Sequence, residues 1–107
     1  MNRSIPGREK LSATHFQEFI GYLTGLVKSG VIQSFDPVFL EAHGGDLNGF
    51  VLIKGEPSKL DSLMSSNEWI RHVTRALFHL DGAGAVRGVS GDGIAQRMAL
   101  WTEQIPQ

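Results

Sequence analysis

The stretch Val38–Gly55, VFLEAHGGDLNGFVLIKG, decides the fold of this sequence. An extended run lies on each side of a Gly-rich turn, which is the pattern of a β-hairpin. The return run, Phe50–Lys54, is apolar on both faces until Lys54, as is typical of a central strand or of one covered on both sides. The stretch therefore predicts an antiparallel hairpin between two helical segments.

Alternation along the hairpin predicts which side chains share a face. In the first strand Val38 and Leu40 lie on one face, and Phe39 lies on the other with Glu41. We expect Leu40 and Leu52 to be buried in the core of the domain. The opposite face is expected to carry Phe39, Val51 and Ile53.

The turn His43–Gly49, HGGDLNG, contains three glycines, an Asp and an Asn. These residue types accommodate positive φ angles or bond to the nearby backbone, so the composition is typical of a loop. Two interpretations stay open at this point. The loop either only reverses the chain between the two strands or also presents His43 and Asp46 to a ligand.

The remaining segments are predicted from spacing, caps and breakers. Apolar residues at helical spacing predict a first helix over residues 8–29, closed by Gly30. Pro37 predicts a bulge or an edge position in the first strand. The further expected elements are a helix from Pro57, a restart at Ser66 or Asn67, a bent last strand within 76–89, and a C-terminal helix with Ile94, Met98, Trp101 and Ile105 on one seam.

The resulting order resembles the split βαβ pattern. It predicts an α+β fold, a ferredoxin-like βαββαβ sandwich over the single domain 1–107, with a short or missing first strand in residues 1–5 and a C-terminal helix. The segment 74–80 also fits helical spacing, so its assignment to strand or helix stays open.

Composition excludes several classes of protein. The 107 residues are 41% hydrophobic, carry a net charge of −1 and include no Cys, which suits one small domain without disulfides or thiolate sites. Without a basic stripe or a long apolar segment, we expect neither nucleic-acid nor membrane binding. We expect a cytoplasmic protein without cofactors.

Four histidines are the main candidates for chemistry, and no two of them have the spacing of a local metal motif, so we predict no metal site. His15 precedes Phe16 and is interpreted as a boundary residue or as a ligand group. His72 is interpreted as part of a solvated helix face. His79 is interpreted as a half-exposed sheet residue or, with Arg75, as a group that meets an anionic ligand.

Three pieces of sequence carry a resemblance to a known family: PGREK at 6–10, FDPVFLEAHGGDLNGFVLIKG at 35–55, and the helix LDSL…EW…TRA at 60–76. They resemble small bacterial proteins of the dimeric α/β-barrel superfamily, distantly including YCII-related members. The resemblance implies a ferredoxin-like subunit whose sheet pairs with a second sheet. His15 lies where YCII-related members carry a histidine.

Two functions are consistent with these observations. The first is a homodimer, joined through the sheet with Phe39 and Ile53 between subunits, that is non-enzymatic or binds a small molecule. The alternative is a cofactor-free enzyme, monooxygenase- or isomerase-like, acting on a small aromatic or polyketide-like substrate. The candidate ligand-binding residues are His15, His43, Asp46, Arg75 and His79; no catalytic residue is assigned.

Overall fold

The computed structural model describes residues 1–106 and contains four helices and one two-stranded antiparallel sheet. The α+β class predicted from the sequence is confirmed. The elements are α1 (Glu9–Lys28), β1 (Ser34–Phe39), β2 (Gly49–Lys54), α2 (Pro57–Met64), α3 (Asn67–Leu77) and α4 (Asp92–Glu103). None of these helices combines the length and the apolar character that a membrane span requires.

The helix ends follow the local chemistry of the sequence. Gly30 has a φ of 77°, and the amides of Gly30 and Val31 bond to the carbonyls of Val27 and Leu26, which closes α1 in a Schellman motif. The Ser66 side chain accepts a hydrogen bond from the Trp69 amide and caps α3. The predicted first helix and the predicted restart at Ser66 are thus confirmed.

The hairpin pairs β1 with β2 without a bulge, in a register that places Phe35 opposite Ile53 and Pro37 opposite Val51. Among residues 1–106, β1 pairs with β2 alone, so Pro37 occupies an edge strand, where its missing N–H costs no ladder hydrogen bond. Pro37 was predicted to lie either in a bulge or in an edge strand, and the edge strand is confirmed.

The helices cover the sheet face that the sequence assigned to the outside. Val51, Ile53 and Phe35 pack against the buried core of Leu23, Ile32, Leu63 and Trp69. Leu52 is 44% exposed and Leu40 is 37% exposed. The prediction was wrong about which face is covered, because alternation separates two faces without saying which one the helices cover.

The predicted strand within 76–89 was also wrong. Helix α3 continues to Leu77, and only an isolated bridge pairs Leu80 with Ser4. Residues 1–5 nevertheless behave as a strand stub. The Met1 ammonium donates to the Gly49 carbonyl (3.0 Å), and the amides of Asn2 and Ile5 donate to the carbonyls of Gly82 and His79 (2.9 and 2.8 Å).

Helix α4 extends away from this core. No residue of α4 is buried, and Trp101 on its apolar seam is 62% exposed. The radius of gyration is 16.3 Å, compared with roughly 13 Å for a compact domain of this length. The chain therefore leaves substantial apolar surface in water.

Candidate functional site

Helix α1 places Ser12, His15, Phe19 and Tyr22 on one side, because positions three and four apart in a helix lie above one another. Helix α3 presents His72 to this side of α1. The turn that closes α3 presents His79, whose amide bonds to the carbonyl of Ala76. Three histidines that are distant in sequence therefore meet between α1 and the C-terminal end of α3.

The side chains form a continuous line, which we name the histidine array and define as Ser12, His79, His15 and His72. Ser12 Oγ lies 2.7 Å from His79 Nδ1, and His79 Nε2 lies 2.7 Å from His15 Nδ1. His15 Nε2 then lies 3.0 Å from His72 Nδ1. Every nitrogen inside the line has a hydrogen-bond partner.

The ring orientations support direct hydrogen bonds. The planes of His15 and His72 differ by 2°, with centroids 5.2 Å apart. This separation is the 3.0 Å nitrogen distance plus about one ring width, so the rings lie edge to edge in one plane. This contact therefore joins a nitrogen lone pair to an N–H group in line, the geometry that strengthens a hydrogen bond.

The protons of the array can be arranged in two consistent ways. The Ser4 hydroxyl donates to Ser12 Oγ at 2.8 Å, which leaves Ser12 to donate to His79, His79 to His15, and His15 to His72. Reversing every donor and acceptor gives a second neutral arrangement with the same partners. A neutral imidazole donates through one nitrogen and accepts through the other, so both arrangements need no charge.

Burial keeps the imidazoles neutral. His15 and His79 are each only 4% exposed. Burial and, as the next largest cause, the Arg75 charge together lower the pKa of His15 to about 4. Burial also lowers the pKa of His72 and His79, and Arg75 acts in the same direction on His79.

The array is bordered by an exposed ion pair between Arg75 and Glu18. The Arg75 guanidinium bonded to Glu18 holds the pKa of that carboxyl below its usual range. Glu18 counteracts part of the effect of Arg75 on His15 and His72. The charges of this exposed pair therefore shift the pKa values of His15 and His72 in opposite directions.

The geometry is that of a hydrogen-bonded line and not that of a metal centre. In a tetrahedral zinc site, nitrogens about 2.0–2.1 Å from the metal stand roughly 3.3 Å apart and point at one centre. The ring nitrogens here face each other at 2.7 and 3.0 Å. Within residues 1–106, no group of three or more His, Cys, Asp or Glu side chains is arranged to hold a metal ion.

A groove of about 640 Å³ lies beside one end of the array, between the second half of α1, α2 and the start of α3. Tyr22 lines the groove and stacks on His72, with centroids 4.6 Å apart and planes inclined by 25°. Burial raises the pKa of the Tyr22 phenol. A molecule in this groove would contact the ring that adjoins the last histidine of the array.

The structure brings together three of the five predicted ligand-binding residues: His15, Arg75 and His79. The other two, His43 and Asp46, lie in the exposed hairpin loop outside this site. The His43 ring bonds within that loop, to the carbonyl of Leu47 (2.9 Å) and the amide of Gly45 (3.3 Å).

Several interpretations of single residues were wrong. His72 is not part of a solvated face, since it is half-buried and stacked, and His79 is buried, not half-exposed. Sequence reasoning also missed Ser12. The signals were present, because His72 and His79 stand seven apart, two helical turns, and Ser12 precedes His15 by three.

No protein-family model, curated protein or solved structure matches this sequence.

Proposed function

We propose that this chain is a homodimeric domain that binds a small molecule and transfers protons through the histidine array, without a cofactor. The observation that carries the proposal is the uninterrupted line of hydrogen bonds from Ser12 through His79 and His15 to His72. In this proposal the chemistry is isomerase-like proton transfer at a weakly acidic C–H or O–H group.

The energetics of burial support a role beyond packing. An apolar side chain at position 15 or 79 could fill a core without any need for hydrogen-bond partners, whereas a buried imidazole requires a partner at each nitrogen. This small domain instead buries two imidazoles completely and a third in part. Perturbed titratable groups that contact one another are more frequent at functional sites than elsewhere.

The array suits proton transfer because its two arrangements differ only in the positions of protons. A proton accepted at one end can be matched by a proton released at the other, after which the array has reversed its direction. His72 is the terminal ring, and its Nε2 atom has no partner within the array. We infer that His72 exchanges protons with a molecule bound next to Tyr22, the ring that lines the groove and stacks on His72.

A second, non-enzymatic function is favoured by a separate observation. Ser4 and His79 belong to the two segments whose backbones pair, since the Ile5 amide bonds to the His79 carbonyl at 2.8 Å. In addition, none of the four residues of the array lines the groove, which Tyr22 separates from His72. In this alternative the array is a polar clamp that fixes residues 1–5 and 79–82 on α1, and the groove binds a ligand without chemistry.

The proposed assembly rests on the uncovered surfaces of the subunit. We infer that the subunit is ferredoxin-like, since residues 1–5 lie between β2 and residues 79–82, the position of a first strand in a βαββαβ order. The sheet face opposite the helices carries exposed Phe50 and Leu52, and we infer that a second copy covers it. A cytoplasmic location and a dimeric α/β-barrel relationship remain predictions.

The experiment combines a ligand screen with solvent deuterium exchange. A panel of small carbonyl compounds is screened for a rise in Tm, and NMR then follows deuterium incorporation into each binder in D₂O. We expect at least one binder to exchange a C–H proton, at a rate reduced on the order of 10²-fold in His15→Gln. His43→Gln, on the exposed loop, is the matched control and should leave the rate unchanged.

The same experiment separates the two functions. If a compound binds and exchanges its C–H proton equally fast with wild type and with His15→Gln, the array has no chemical role. The non-enzymatic function, in which the array is a polar clamp, is then supported. If no compound that binds shows exchange above the rate without protein, proton transfer at this site is contradicted.

A further inference from the structure

Two apolar surfaces of the same subunit lack a covering element in the described residues. The first is the open sheet face, which we define as Val38, Leu40, Phe50 and Leu52. The second is the α4 seam, defined as Ile94, Met98, Trp101 and Ile105, of which Ile105 lies two positions beyond the end of the helix. Seven of these eight side chains are at least one-third exposed, and Val38 is half-buried.

The register explains why the open sheet face is continuous. Val38 lies opposite Phe50, and Asp36 lies opposite Leu52, so these four side chains share the face that the helices do not cover. The neighbouring residues Val51 and Ile53 point the other way, into the core. The uncovered face is therefore a compact apolar patch, with Asp36 and Lys54 at one end of it.

The α4 seam has a matching shape and charge. Its residues recur at i, i+4, i+7 and i+11, which aligns them along one side of the helix. Arg97 lies beside this seam and makes no ion pair among residues 1–106, and the same holds for Asp36 on the open sheet face. One free cation on the helix thus faces one free anion on the sheet if the two surfaces meet.

The area of these surfaces indicates how many contacts must form. An aromatic side chain presents about 200 Å² and the aliphatic ones less, so these eight side chains, roughly half-exposed, present on the order of 600 Å² per subunit. A standard interface buries about 800 Å² on each partner. Covering one sheet with one helix would use only half of the available surface, whereas a reciprocal exchange uses all of it.

The segment between α3 and α4 is long enough for such an exchange. Residues 81–91 contain Gly82, Gly84, Gly88 and Gly91 and form no helix or strand. Eleven residues span up to roughly 36 Å when extended. The exposed ion pair of Arg87 with Asp61 on α2 holds the segment near its middle, and it has to open for the full length to be used, at a cost below about 1 kcal/mol.

We propose that α4 of each subunit packs across the open sheet face of a second copy, with Arg97 beside Asp36 of the other chain. The proposal rests on the homodimer of the proposed function and states which element covers the sheet. Each subunit then gives one helix and accepts one, which forms a closed two-fold dimer. This helix-on-sheet dimer differs from a dimer in which the two sheets pack directly on each other, because α4 takes no part in the sheet-on-sheet contact.

Because the chain contains no Cys, a disulfide reports this contact without background. The double variant Asp36→Cys/Arg97→Cys is oxidised mildly at low micromolar concentration, and the product is read by mass spectrometry under denaturing conditions. We expect a covalent dimer that a reductant returns to the 11.7 kDa monomer mass. In the control Asp36→Cys/Arg71→Cys the second thiol lies on the exposed face of α3, and both thiols should stay reduced.

Each other outcome overturns the proposal in a recognisable way. A disulfide-closed monomer would mean that α4 covers its own sheet. Free thiols together with a wild-type dimer in light scattering would mean that the homodimer stands but that its sheets pair without α4. Free thiols together with a wild-type monomer would contradict the proposed homodimer as well.

Discussion

His15 Nδ1 and His79 Nε2 lie 2.7 Å apart, although 64 positions separate the two residues in the chain. This contact joins α1 to the turn after α3, and through the Ile5 amide it also joins both to the N-terminal segment. The array is therefore part of how the fold is held together, whatever chemistry it performs. Its loss should have measurable consequences for stability, titration and assembly.

Replacement of the central ring should destabilise the fold. His15→Phe preserves an aromatic side chain but leaves His79 Nε2 and His72 Nδ1 without their partner. A buried polar group that loses its partner costs about 1–3 kcal/mol, so we expect the free energy of unfolding to fall by at least that amount. Urea unfolding followed by circular dichroism measures it. His43→Phe on the exposed loop is the control, and an equal loss in both variants would contradict the role of the array.

Stability should fall between pH 6.5 and pH 4. The folded pKa of His15 is about 4 and those of His72 and His79 are also lowered, so the unfolded chain binds protons at a higher pH than the folded chain. The stabilisation is complete above pH 6.5 and is lost as the pH falls toward the folded pKa. For His15 alone this amounts to about 3 kcal/mol. Unfolding free energies across this range should decrease in wild type and change much less in His15→Phe.

Removal of the neighbouring cation should shift the titration of the array. Arg75 lowers the pKa of His15 and of His79, so Arg75→Gln should raise both. The Arg75–Glu18 pair is exposed, so the stability of the fold should change by less than about 1 kcal/mol. Histidine NMR titrations measure the shift. Arg71→Gln, on the same helix, is the matched control, and an equal shift in that variant would contradict a specific effect of Arg75.

Adjacent residues on β2 should respond in opposite ways. Ile53→Asp places a charge in the core and costs several kcal/mol, so this variant should not fold. Leu52→Asp places its charge on the open sheet face, so the subunit should fold but should not dimerise. Circular dichroism and light scattering distinguish the two results. A folded Ile53→Asp variant would contradict the face assignment.

The sequence predicted those elements that local chemistry specifies. Gly30 and the Ser66 cap fix helix ends, and the hairpin follows from apolar runs around a glycine-rich turn. The side of the sheet that is covered depends on where α1 and α3 pack. That is a tertiary property, and the assignment of Val51 and Ile53 to the outside was wrong for this reason, whereas Phe39 is 70% exposed.

The site was predicted only in part, since His15, Arg75 and His79 were singled out separately while the array depends on their meeting. The segment 74–80 satisfies both helical and strand spacing, and assigning it to a strand concealed the two-turn relationship of His72 and His79. Ser12 carried no motif of its own. Its role arises from the 2.7 Å contact with a histidine 67 positions away.

The most direct test of the central claim is the NMR titration of the histidine side chains in ¹⁵N-histidine-labelled protein. We expect His15, His72 and His79 to be neutral at pH 7, with pKa values below 6.5 and that of His15 at about 4. We also expect nitrogen–nitrogen couplings across the His79–His15 and His15–His72 hydrogen bonds. Three independent titrations near pH 6.5, without such couplings, would contradict the array.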